Sequence, residues 1–83
     1  MITAGQVRAA RALLGLDQRD LAELSGLSLP TIQRMEASDG VIRGNVDSLV
    51  KLVAALSSAG IEIIGDGVAS GRGVRLAIRP PAP

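Results

Sequence analysis

Leu16-Asp17-Gln18-Arg19-Asp20-Leu21-Ala22-Glu23-Leu24-Ser25-Gly26-Leu27-Ser28-Leu29-Pro30-Thr31-Ile32-Gln33-Arg34-Met35-Glu36 reads as two short helices joined by a tight turn. Asp17 can cap the first helix, and Asp20, three residues on, sits at the positive end of its dipole. Leu21, Ala22 and Leu24 follow before the break at Ser25-Gly26. Ser28 opens the second helix, which runs to about Ala37. Pro30 fits there because the first turn has no internal use for its N–H. Ala22 is small where the helices must approach, and Ile32 falls on the inner face. Leu21, Leu27 and Met35 complete an interior that sets one crossing angle for the pair.

Helical periodicity continues on both sides. Upstream, Thr3 is placed to cap a helix carrying Val7, Ala10 and Leu14, with Leu13 beside them and Gly15 as a left-handed stop. Downstream, Ser38-Asp39-Gly40 ends the second helix of the pair, and a loop with Gly40 and Gly44 leads to a cap at Asn45 or Asp47. The fourth helix then runs to about Ser58 with Val46, Leu49, Val53 and Leu56 in one stripe, widened by Val50 and Leu52. After Gly60 the period changes to two. Ile61–Ile64 and Val74–Ile78 read as strands, separated by a glycine-rich hairpin loop. Arg79-Pro80-Pro81-Ala82-Pro83 cannot continue a ladder. The expected fold class is therefore mainly α: a four-helix helix-turn-helix domain over 1–59, a β-hairpin or pair of strands over 60–79, and a tail over 80–83.

Composition narrows the function classes. The 83 residues contain no Cys, His or aromatic side chain. Thiolate and imidazole metal ligands and the commonest general base are thus missing, and neither a cofactor nor a metal is expected. An active site would need a convergence of carboxylates that no spacing suggests, so no catalytic residue is assigned and the chain is not expected to be an enzyme. No stretch approaches the roughly 20 apolar residues of a membrane helix, and the N-terminus does not read as a secretory signal. A cytoplasmic location and no membrane partner are the expectation. Net charge is +1, which announces no polyanion, although eight of the nine cations are Arg.

With its spacing in view, the 16–36 stretch closely resembles the helix-turn-helix of the lambda-repressor-like family, the Cro-type or xenobiotic-response-element (XRE) regulators. The family's fixed positions are met by Leu16, Gln18, Leu21, Ala22, Gly26, Leu27, Ser28, Thr31, Ile32, Arg34, Met35 and Glu36. The resemblance implies a lambda-repressor-like bundle through about residue 58, which binds duplex DNA and regulates transcription, more often as a repressor in bacteria or phage. The strand-like tail lies outside that common core.

Projecting the second helix of the motif at 100° per residue sorts its side chains. With Ile32 at the origin, Met35 and Glu36 border the core, while Pro30, Arg34 and Ala37 point away and Thr31, Gln33 and Ser38 flank them. Arg34 suits a guanine edge or a phosphate, and Gln33 suits adenine. Thr31 and Ser28 reach phosphates or thymine methyls, and Leu29 fits either the core or a thymine methyl. Ser28, Leu29, Pro30, Thr31, Gln33 and Arg34 are accordingly the expected base-contacting set. The resemblance makes Gln18 a phosphate brace that also bonds into the recognition helix, and Arg43 a phosphate contact; Arg19 and Ser38 complete that set. Gln18 reads equally well as an ordinary first-turn residue. Glu36 is expected in a structural contact, with Arg34 and Arg43 as alternative partners. Residues 17–44 carry three Arg against five acids, an unfavourable balance beside phosphates unless the acids point away.

The tail alternates, with Val74, Leu76 and Ile78 on one face and Arg75, Ala77 and Arg79 on the other. Arg72, Arg75 and Arg79 read as a solubilising face or a second basic strip. A lone two-stranded hairpin is marginal in water, and an apolar face with open edges asks for cover. Ile61, Ile63, Val74, Leu76 and Ile78 are therefore the expected dimer interface, giving a homodimer on a two-fold related operator. The rival expectation is an antitoxin whose tail engages a toxin or other regulatory protein.

Overall fold

The computed structural model describes residues 2–65, 67 and 71–77. Four helices, α1 (Ala4–Leu14), α2 (Gln18–Ser25), α3 (Leu29–Glu36) and α4 (Val46–Ser58), precede strands β1 (Ile61–Ile64) and β2 (Gly73–Leu76). The architecture is that of the expected class: mainly helical, with a C-terminal two-stranded antiparallel sheet.

Local chemistry explains each boundary. Thr3 and Gln6 form a capping box: the Gln6 N–H donates to Thr3 Oγ1 (3.2 Å) and the Thr3 N–H to Gln6 Oε1 (2.8 Å). Asp17 and Asp20 build the same device on α2, at 2.7 and 3.1 Å. Ser28 caps α3, which puts Pro30 at its second position, still within the turn whose N–H groups lack helical acceptors. Asn45, rather than Asp47, caps α4. Gly26 has φ +73 and lets the Leu27 N–H reach back to the Ala22 carbonyl at 3.1 Å. That left-handed step reverses the chain between α2 and α3 and is costly for any residue with a Cβ. Gly44 lies close to the core: a Cβ there would meet Met35 Cε at 3.0 Å, so the methionine end would have to shift slightly.

The core is aliphatic throughout. Val7, Leu21, Ile32, Met35, Leu52 and Leu56 are fully buried, and each contributes about 1.5–3 kcal/mol relative to an exposed position. Ile2 and Ile42 join them through a short pairing that sequence periodicity does not reveal. The Ala4 N–H donates to the Gly40 carbonyl (2.9 Å) and the Ile42 N–H to the Ile2 carbonyl (3.2 Å), around a bridge between Thr3 and Val41.

Two expectations need correction. The apolar stripe of α4 does not all turn inward. Leu52, Ala55 and Leu56 are buried and Leu49 is partly buried, whereas Val46, Val50 and Val53 are 76%, 59% and 39% exposed. The apolar sector is wider than the bundle, one chain deep, can cover. Leu13 and Leu24, which belong to no expected core stripe, are nearly half exposed. Finally, β2 starts one residue earlier than expected and its ladder ends at Leu76, with one further bond from the Ala77 N–H to the Gly60 carbonyl at 2.7 Å.

The hairpin does not stand alone. Ile61 is a member of the helical core, and Ile63 and Val74 pack against it, so α1 and α4 cover much of the face that seemed to need an external partner. The register sets Ile61 opposite Leu76 and Ile63 opposite Val74, with Glu62 opposite Arg75 on the other face. Gln6 fastens the sheet to α1. Its Nε2 donates to the Ile64 carbonyl (2.9 Å) and the Gly73 carbonyl (3.0 Å), one from each strand.

Candidate nucleic-acid interface

The face of α3 that leaves the core carries most of the expected base-contacting side chains. Ile32 and Met35 are buried, and Pro30, Gln33 and Arg34 are exposed. Ser28 is exposed at the cap and Thr31 half-buried beside it. Leu29, for which core and thymine methyl were both open, is half-buried and packs against the core. Of the phosphate set, Arg19 and Arg43 are exposed, while Gln18 and Ser38 are half-buried. Ser38 Oγ donates to the Arg34 carbonyl at 3.3 Å and so helps finish α3.

A buried polar junction holds α3 in place. Glu36, 5% exposed, receives Arg11 bidentately, from Nε to Oε2 and from an Nη to Oε1, both at 2.7 Å. Arg11 also donates to the Leu16 carbonyl, and Arg8 to the Glu36 carbonyl at 2.6 Å. Gln18 Nε2 donates to Glu36 Oε1 at 3.3 Å. One carboxylate therefore ties α1, α2 and α3 together. The Glu36 hydrogen bonds raise the Arg11 guanidinium above its ordinary pKa, against the opposing effect of burial. Glu36 does make the structural contact expected of it, but its partner is neither Arg34 nor Arg43. Arg11 was missed although its spacing signals it: it follows Val7 by four residues and precedes Leu14 by three, on the inward stripe of α1.

The same junction alters the electrostatics of the face. Of the five acids in 17–44, Glu36 is neutralised internally by Arg11, and Asp17 and Asp20 accept the backbone N–H groups of the α2 cap. The capping box uses the N–H groups of Asp17 and Asp20, leaving those of Gln18 and Arg19 outside it at the start of α2. On the outward face, Arg34 donates to Thr31 Oγ1 at 3.2 Å, and the Thr31 and Ser28 hydroxyls lie 2.8 Å apart.

The expected dimer set is split by the structure. Ile61 is 4% exposed inside its own subunit, Ile63 and Val74 are half-buried, and Leu76 is 43% exposed. Ile78 and Arg79 lie outside the described residues. Arg75 forms an exposed ion pair with Glu62 at 2.7 Å, whose hydrogen bonds raise its pKa, so it serves the sheet's outer face. No helix among the described residues is long and apolar enough to cross a membrane.

Two helices set by a glycine turn, with the second braced from behind and polar in front, define a helix-turn-helix DNA-binding domain. A helix-turn-helix family model matches residues 7–57, from the first turn of α1 to the end of α4. The chain belongs to the helix-turn-helix family of XRE-type, DNA-binding transcriptional regulators. No curated protein matches it significantly.

Proposed function

We propose that this chain is a sequence-specific repressor that acts in the cytoplasm as a homodimer on a two-fold related duplex operator, with no catalytic role. The observation that carries the reading is the braced recognition helix: Glu36 locked to Arg11 behind it, and Thr31, Gln33 and Arg34 in front. Gln33 and Arg34 supply the principal base contacts, with Ser28, Pro30 and Thr31 beside them on the face that meets the groove; Gln18, Arg19, Ser38 and Arg43 supply the phosphate contacts. Leu29 contributes packing and, at most, a methyl contact at the groove edge. Specific affinity then falls steeply with salt, as phosphate-anchored binding must.

The homodimer is supported less by the hairpin than by α4. Val46, Val50 and Val53 form an exposed apolar strip continuous with a groove lined by Ile2, Ile42, Leu49 and Ile63. Such a strip favours burial against a second copy, and a two-fold dimer of this class reads half-sites about one DNA turn, ~34 Å, apart.

Selection from a random duplex pool, followed by competition binding, tests the function. A two-fold related consensus is expected, and Arg34→Ala should cost about 1–3 kcal/mol per half-site and relax the preference at one base pair. Equal binding of all duplexes by the wild type would overturn the reading.

A further inference from the structure

We infer that Ser28, Thr31 and Arg34 form a preorganised guanine reader in which Thr31 is a positioning residue that aims the Arg34 guanidinium. The inference rests on the proposed DNA-binding reading and specifies how its recognition helix discriminates. The three residues recur every third position along the outward side of α3. Ser28 Oγ accepts the Thr31 N–H at 3.2 Å and lies 2.8 Å from Thr31 Oγ1, which in turn accepts an N–H of Arg34 at 3.2 Å.

Direction is what makes this chain informative. Recognition helices read base edges mainly from their N-terminal residues. Here the first two helical residues are Leu29 and Pro30, whose side chains have no hydrogen-bonding group. Arg34 lies in the last turn of α3, from which a free side chain reaches a phosphate as readily as a base. Its bond to Thr31 holds the guanidinium toward the N-terminal end of the helix, level with a residue three positions earlier, about 4.5 Å along the axis. One of the five guanidinium N–H donors is spent on Thr31, and the four left suffice for the paired bonds to guanine O6 and N7. No carboxylate competes for the group, because Glu36 is held by Arg11 and Arg34 makes no ion pair among the described residues. Ser28 fixes the Thr31 hydroxyl, so the guanidinium is biased toward one side of α3 before it meets the groove.

The test compares Thr31→Val and Thr31→Ser with the wild type on duplexes drawn from the selected pool, each carrying single base-pair replacements. In the wild type, replacing one G·C pair per half-site should weaken binding about tenfold or more. Thr31→Val should lose most of that discrimination, with the helical circular dichroism, melting temperature and slope of log affinity against log salt unchanged. Thr31→Ser, which keeps the hydroxyl, should restore it. The inference is overturned if Thr31→Val weakens all duplexes alike with a shallower salt slope, since the hydroxyl then holds a phosphate. It is overturned equally if Thr31→Val keeps the full discrimination, or if Thr31→Ser loses it as Thr31→Val does. Failure of the wild type to prefer any duplex would remove the underlying DNA-binding reading, and is separable because it precedes any substitution.

Discussion

Replacing Arg11 by Met should be among the most damaging single changes in the chain, and the structure says by how much. The Glu36 side chain is 3% exposed and that of Arg11 is 20% exposed. Two charge-assisted bonds of 2.7 Å join them, and the other side-chain donor to that carboxylate among the described residues is Gln18 at 3.3 Å. Removing Arg11 leaves a buried carboxylate without its counter-charge, a change that costs about 3–5 kcal/mol. Removing the other partner is milder: in Glu36→Gln the guanidinium keeps the Leu16 carbonyl and can turn to water, so about 1–2 kcal/mol is expected. The double variant Arg11→Met/Glu36→Leu should recover most of the loss, because an apolar pair of similar volume needs no desolvation. Urea unfolding followed by far-ultraviolet circular dichroism is the suitable assay, since the chain has no aromatic fluorophore. With a slope of about 1 kcal/mol per molar, Arg11→Met should lower the midpoint by about 3 M or more, or unfold the protein outright. A loss under about 1 kcal/mol, the value for an exposed pair such as Asp47–Lys51, would refute the reasoning, as would a larger cost for Glu36→Gln.

Two further outcomes follow from the same structure. Gln6→Leu removes the donors to the Ile64 and Gly73 carbonyls and the acceptor for the Thr3 N–H, so about 2–3 kcal/mol should be lost, with amide exchange accelerating first in β1 and β2; uniform acceleration across α1–α4 would contradict a local latch. Val50→Glu puts a charge at the centre of the exposed α4 strip, so light scattering should show monomer at concentrations where the wild type is dimeric, with an unchanged helical signal; a variant that stays dimeric would move the interface elsewhere.

Elements governed by local chemistry were legible in the sequence. Thr3, Asp17 and Ser28 cap where their hydroxyl or carboxylate can meet a backbone N–H three residues on, and Gly15 and Gly26 end α1 and α2 in a left-handed step that costs glycine little. The outward face of α3 followed from the 100° period. What remained hidden depended on contacts between distant segments. The 2–4 segment pairs with 40–42, Gln6 reaches residues 64 and 73, and Glu36 takes its partner from position 11. Periodicity also overstated the inward sector of α4, because a repeat of Val and Leu shows which residues share a face but not whether a neighbour covers it.

The hairpin and the net charge illustrate the same point about bookkeeping along a chain. An alternating pair of strands has an apolar face wherever it occurs, but the demand for a second subunit arises only if its own helices leave that face bare, and here Ile61 is inside the helical core. Likewise, a count of three Arg against five acids treats every charge as though it faced the same solvent. Glu36 is cancelled by an Arg outside the counted stretch, and the carboxylates of Asp17 and Asp20 are engaged with backbone N–H groups at the α2 cap. A cap carboxylate still repels a phosphate, so Asp17 and Asp20 limit how closely the start of α2 approaches the backbone. Gln18, which follows Asp17 and is tethered to Glu36, is the neutral side chain suited to that contact. Arg19, Arg34 and Arg43 are the exposed cations of this stretch, on α2, on the outward face of α3 and in the loop beyond it, and on the proposed reading they would anchor the recognition helix. A modest net charge is thus compatible with binding a polyanion, because one acid of the count lies in the interior and is paired there rather than set against the phosphates.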